Sequence, residues 1–134
     1  MSEEKEEVRV GRVSAVNYNA GTISVVYEDR DNAVTKDVPM LSHEYMMPDV
    51  GMKVHINHLS NGTEYATCIG PFWNEENPPC EGGQGLYRKD FSRTNGAWDG
   101  TCYIKFKDGK LTIHNDGPIL IEASRVDINQ SGGG

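Results

Sequence analysis

Residues 101–129, TCYIKFKDGKLTIHNDGPILIEASRVDIN, constrain the fold more than any other stretch, because apolar and polar side chains alternate in short runs with almost no chain between them. Cys102, Ile104 and Phe106 alternate with Thr101, Tyr103 and Lys105, and Asp108-Gly109 supplies the positive φ values of a tight reversal. Leu111 and Ile113 follow on one face. Asn115-Asp116-Gly117-Pro118 predicts another turn, after which Ile119 and Ile121 alternate with Leu120 and Glu122, and Val126 and Ile128 with Asp127 and Asn129. Four short strands are expected, each with an apolar face that the segment itself does not cover.

Strands of about five residues carrying so few apolar side chains do not make a stable isolated sheet. The face can be buried on the preceding part of the chain as a larger sandwich, or against two further copies around a three-fold axis as an intertwined prism. Small apolar pairs, close turns and the lack of long loops suit a narrow prism better than a broad sandwich core. In the prism, Cys102, Ile104, Phe106, Leu111, Ile113, Ile119, Ile121, Val126 and Ile128 form the trimer core.

Ahead of this region the chain reads as all-β. Residues 1–7 are an acidic tail. Alternation begins at Val8 and Val10 and continues to Val13 and Val16, with Gly11 marking a bulge. Residues 17–21 predict a turn, 22–28 a second strand, 29–32 a charged loop and 33–41 a third strand. Residues 42–49 break the rhythm as a short helical turn or an irregular crossover. Two further strands, 53–59 and 64–70, flank a hairpin turn at Ser60-Asn61-Gly62-Thr63. Three strands, a crossover and two strands make the pattern of a five-stranded OB-fold barrel over residues 8–73, in preference to a small sandwich. Pro78-Pro79 and Gly82-Gly83 mark residues 74–85 as an extended linker. Residues 86–98 are expected as one irregular strand entering a β-helical needle that spans 86–130, and 131–134 are a glycine tail. Phe72 and Trp73, at the junction, are expected as packing anchors that fix the angle between barrel and needle or make the barrel-to-barrel contact.

The composition excludes several classes of function. A formal charge of −7 and a pI near 5.0 argue against nucleic-acid binding, which draws its affinity from Lys and Arg neutralising phosphates. Cys68, Cys80 and Cys102 contain no Cys-x-x-Cys pair, so neither a disulfide framework nor a zinc site is expected. No apolar run is long enough to cross a bilayer, and the acidic start does not resemble a signal peptide, so synthesis in the cytoplasm is expected.

Candidate chemistry is sparse. His55 and His58, three apart on a strand, fall on opposite faces and do not make a metal pair. His114 could meet its copies at a three-fold axis, but if Leu111 and Ile113 point inward it points out. Glu75, Glu76 and Glu81 flank a proline-rich stretch rather than a rigid frame and are read as solvated charges. Tyr18, Tyr27, Tyr45 and Tyr65 lack the interleaved basic residues of a single-strand stacking surface. No Gly-x-Ser-x-Gly, phosphate loop or activated nucleophile occurs, so no catalytic residue, metal or cofactor is expected.

The order of Val10-Gly11-Arg12-Val13, Met47-Pro48-Asp49-Val50-Gly51, Asn61-Gly62, Ile69-Gly70-Pro71-Phe72-Trp73-Asn74-Glu75-Glu76-Asn77-Pro78-Pro79, Asp99-Gly100-Thr101, Asp108-Gly109 and Leu111-Thr112-Ile113 resembles the phage baseplate assembly protein V family. These are the central spike proteins of contractile tails and related injection particles. The resemblance covers nearly the whole chain and implies a non-enzymatic homotrimer. Three barrels would form a collar at the end of a tail tube and three C-terminal segments would intertwine as a needle that breaches the target envelope on sheath contraction. Its implied partners are copies of itself, tail hub proteins at the barrel end, a tip-capping protein and the target cell envelope. Family members often end in a His-x-His ion site; that motif is absent from this sequence, so the family's metal is not carried over. A monomeric OB-fold module that binds a glycan or nucleic acid is the alternative.

Overall fold

A computed structural model describes residues 7–58 and 65–131. The expected acidic tail before Glu7, the hairpin turn at 60–63 and the last three glycines lie outside those residues.

The first half is a curled five-stranded antiparallel half-barrel. Its strands are β1 (Glu7–Asn17), β2 (Thr22–Tyr27), β3 (Ala33–Pro39), β4 (Lys53–His58) and β5 (Ala66–Pro71), in the order β3-β2-β1-β4-β5. Alternation decides which side chains enter the core: Ile23, Val25 and Tyr27 from β2, Val54 and Ile56 from β4, and Ala66 and Cys68 from β5. A bulge between Val13 and Ala15 adds one residue to β1, so Val13 and Val16, three apart, both pack on the core. The bulge is not at Gly11, as the sequence suggested. A Cβ on Gly11 would lie 3.0 Å from the Tyr27 ring and 3.1 Å from the Val25 Cβ, so glycine there makes room for the core rather than bending the strand.

Further register shifts between β2 and β3 and between β4 and β5 curl the sheet. Asp37 and Gly70, both at positive φ, sit at these irregularities. The curl brings the end of β3 to β5, where Met40 forms a parallel bridge with Cys68 and the Leu41 N–H donates to the Cys68 carbonyl at 2.8 Å. Between Pro39 and Lys53 the crossover contains no helical turn. It is irregular but anchored, since Met47, Pro48 and Met52 are buried and the Gly51 N–H donates to Val13 O.

The second half holds a three-stranded sheet, β10-β9-β6, built from β6 (Tyr87–Asp90), β9 (Cys102–Lys107) and β10 (Lys110–Asn115), plus a two-stranded hairpin, β7 (Arg93–Thr94) and β8 (Ala97–Trp98). Asp108-Gly109 turns β9 into β10 with both residues at positive φ, as expected. Residues 86–98 are not one irregular strand. Asn95-Gly96, also at positive φ, folds them into a hairpin, and this Asn-Gly signal was available in the sequence.

The two strands expected after Asn115 are absent from the single chain, where residues 116–131 form no strand. Pro118 has no N–H to donate, and the Asn115 side chain occupies the Pro118 carbonyl at 2.7 Å while the Asp116 N–H bonds Thr101 O. The chain therefore leaves the sheet instead of returning along β10.

Candidate assembly surface

Pairing register assigns each side chain of the small sheet to a face. Leu111 lies opposite Phe106, Ile113 opposite Ile104, and Asn115 opposite Cys102, while Tyr87 and Lys89 of β6 lie opposite Phe106 and Ile104. The expected inward set from β9 and β10 thus shares one face. That face is uncovered by the chain: Leu111 and Ile113 are 64% and 63% exposed and Phe106 46%, with Cys102 and Ile104 half-buried. Ile119, Ile121, Val126 and Ile128 beyond the sheet are all exposed, as is Leu120, which the sequence had placed on the opposite side. So many large apolar side chains left exposed in one stretch are uncommon on a monomer. Tyr87, also exposed on this face, was missed because β6 is too short for alternation to be read.

The opposite face is covered by a network of charges. Arg88 donates to Asp90 from Nε (3.0 Å) and Nη2 (2.9 Å) and to Glu81 from Nη1 (2.8 Å), and its guanidinium lies 3.8 Å from the centre of the Tyr103 ring. Lys105 also donates to Glu81, at 3.1 Å. Bonds from Lys105 and then Arg88 hold the Glu81 carboxyl below the usual range, and bonding to Asp90 raises the Arg88 guanidinium further. Glu81, expected as a solvated charge, is instead the point at which the proline-rich stretch is fastened to the sheet. His114 stacks on Tyr103 at 4.9 Å and pairs with Asp116 at 2.7 Å, on the face away from Leu111 and Ile113.

The junction between the units is ordered. Asn74 and Asn77 exchange backbone bonds, Asn77 is buried, and its side-chain oxygen accepts from Trp98 N at 3.3 Å. Glu76 pairs with Arg12 at 3.4 Å, and Glu75 is exposed. Phe72 stacks on His55 at 4.4 Å, whereas Trp73 is 68% exposed. Both border an open groove of about 880 Å³ shared with Tyr87 and Trp98. Arg93, which the sequence did not single out, reaches back to the crossover, where it donates to the Met47 carbonyl and pairs with Asp49 at 3.3 Å; Lys89 pairs with Glu44 at 3.5 Å. Asp99 organises the adjoining turn, accepting from Ser92, Thr94 and Thr101 hydroxyls and from the Thr101 N–H. The Thr101 hydroxyl and N–H, followed by the Thr94 hydroxyl, hold its carboxyl well below the ordinary range.

The remaining candidates do not converge. His55 faces outward on Phe72, while His58 meets the hydroxyl of buried Tyr27 at 2.6 Å. Tyr18 and Tyr45 share one hydrogen bond, Tyr45 Oη to Tyr18 O, and Tyr27 is in the core, so the tyrosines do not form a common stacking surface. Burial pushes the Cys68 thiol up to about 11, and Cys80 is raised by desolvation and then by Asp90. Among the described residues, no group of three or more His, Cys, Asp and Glu side chains is placed to hold a metal ion, and no helix is long and apolar enough to cross a membrane. No protein-family model and no curated protein matches the chain.

Proposed function

We propose that this chain is the central spike of a contractile tail or related injection particle, acting as a homotrimer without enzymatic activity. The observation that carries the reading is that Phe106, Leu111 and Ile113, on the face they share with half-buried Ile104, are left exposed by the single chain, as are Ile119, Ile121, Val126 and Ile128 beyond the sheet. Two open sheet edges, β6 and β10, accompany it. Three copies packed with these faces inward bury the apolar side chains and give the strandless segment 116–131 backbone partners on neighbouring chains, as in an intertwined β-helix. The charge network of Arg88, Glu81 and Lys105 then lies on the outside.

The half-barrel supports an OB-fold collar: β1 is shared between β2 and β4, and the Met40–Cys68 bridge closes β3 on β5 in parallel. In this reading the collar docks on tail hub proteins and closes the tube. The needle, with or without a capping protein, meets the target envelope on contraction, and assembly takes place in a bacterial cytoplasm. Cofactors, metals and nucleic acid have no part in it. The test is the solution mass of the full chain across a dilution series, by light scattering or native mass spectrometry. A trimer that persists on dilution is expected; a monomer overturns the spike and favours a monomeric barrel that binds a glycan or nucleic acid.

A further inference from the structure

We infer that Arg93 is a positioning residue that locks the angle between the half-barrel and the three-stranded sheet, so that the two move as one body. Arg93 lies beyond the proline-rich stretch, yet its guanidinium reaches back to the crossover that precedes β4. Nη2 donates to the Met47 carbonyl, Nε pairs with Asp49 Oδ2 at 3.3 Å, and Nη1 lies 3.5 Å from Met52 Sδ. Its side chain is only 13% exposed and packs 5.3 Å from the ring centre of Trp98, its cross-strand partner.

Both ends of this clamp are fixed. On the barrel side, Met47 and Met52 are buried, and Val13 N–H donates to Met52 O while Gly51 N–H donates to Val13 O, at 2.9 and 2.8 Å. On the sheet side, Asp99 ties Ser92 and Thr94 to Thr101, and Phe91 N–H donates to Cys102 O at 3.0 Å. A continuous series of bonds therefore runs from β1 through Arg93 to β9, with Trp98 N on Asn77 as a second tether. Only a planar, forked cation serves three acceptors on diverging directions while lying against an indole; a lysine ammonium on the same stem cannot. The lock is internal to one chain. Its use, carrying compressive load from collar to needle, rests on the spike reading.

The experiment is single-molecule energy transfer on the full chain, with donor and acceptor dyes on bioorthogonal residues at exposed Asp29 and Lys110 and labelled copies diluted into unlabelled protein. The unsubstituted chain is expected to give one narrow distance distribution, Arg93→Met a clearly broader one, and Arg93→Lys an intermediate width. Ile56→Val, which loosens the barrel core without touching the clamp, should stay narrow; equal broadening there would assign the effect to general destabilisation and overturn the lock. A broad distribution in the unsubstituted chain, or an unchanged one in Arg93→Met, also overturns it. Narrow distributions in a chain found to be monomeric overturn the spike and leave the lock standing.

Discussion

Placing a charge at Ile113 tests the assembly surface most directly. Ile113 is 63% exposed in the single chain and faces Ile104 across the strand pair. Full burial of such a side chain is worth about 1.5–3 kcal/mol, so covering the exposed part contributes about 1–2 kcal/mol per copy, or about 3–6 kcal/mol per trimer. Ile113→Asp removes this and brings three carboxylates toward one axis, where desolvating each costs several kcal/mol more. A combined loss of about 10 kcal/mol divides the trimerisation constant by roughly 10⁷. Because the midpoint of a monomer–trimer equilibrium varies as the square root of that constant, the midpoint concentration should rise by about three to four orders of magnitude. Native mass spectrometry over a dilution series reads this shift, with Ile113→Val as the control, expected to stay close to the parent. Ile113 lies outside the half-barrel core, so the Asp variant should keep the five strands β1–β5 folded. A trimer of Ile113→Asp that dilutes like the unsubstituted protein would refute the inward-facing geometry.

Two other outcomes follow from the geometry. Gly11→Ala drives a Cβ to 3.0 Å from the Tyr27 ring and 3.1 Å from Val25, in a part of the core with little room to give, and should cost about 1–3 kcal/mol by urea unfolding; a neutral result would show that Tyr27 can move aside. Asp99 has a folded pKa below its unfolded value near 3.9, so its contribution is fully present above about pH 5 and is lost as pH falls through the unfolded value toward the folded one. The difference in Thr101 amide exchange between the unsubstituted chain and Asp99→Asn should shrink across that interval, and a difference independent of pH would contradict the assignment.

Alternation and turn chemistry carried much of the fold. The five strands of the half-barrel, the Asp108-Gly109 hairpin and the face shared by Leu111 and Ile113 all follow from a two-residue period and residues suited to positive φ. Local patterns misled where their meaning depends on distant residues. Gly11 looks like a bulge in sequence, but the Tyr27 ring that occupies its missing Cβ comes from another strand. Glu81 reads as solvated until Arg88 and Lys105 are brought to it. Ile119 to Ile128 alternate like strands, and a period of two says which side chains share a face without naming the chain that supplies the hydrogen bonds.

By itself, then, the sequence determined an all-β chain with an uncovered apolar face in its last third, because side-chain periodicity and turn residues are properties of neighbours along the backbone. Only the tertiary structure decided that β3 closes on β5 through Met40 and Cys68, that residues 116–131 leave their own sheet, and that Arg93 reaches back to Met47 and Asp49. Those outcomes depend on contacts between residues far apart in sequence, whose meeting is set by the accumulated curl of the sheet and by competition for a few carbonyl and carboxylate oxygens.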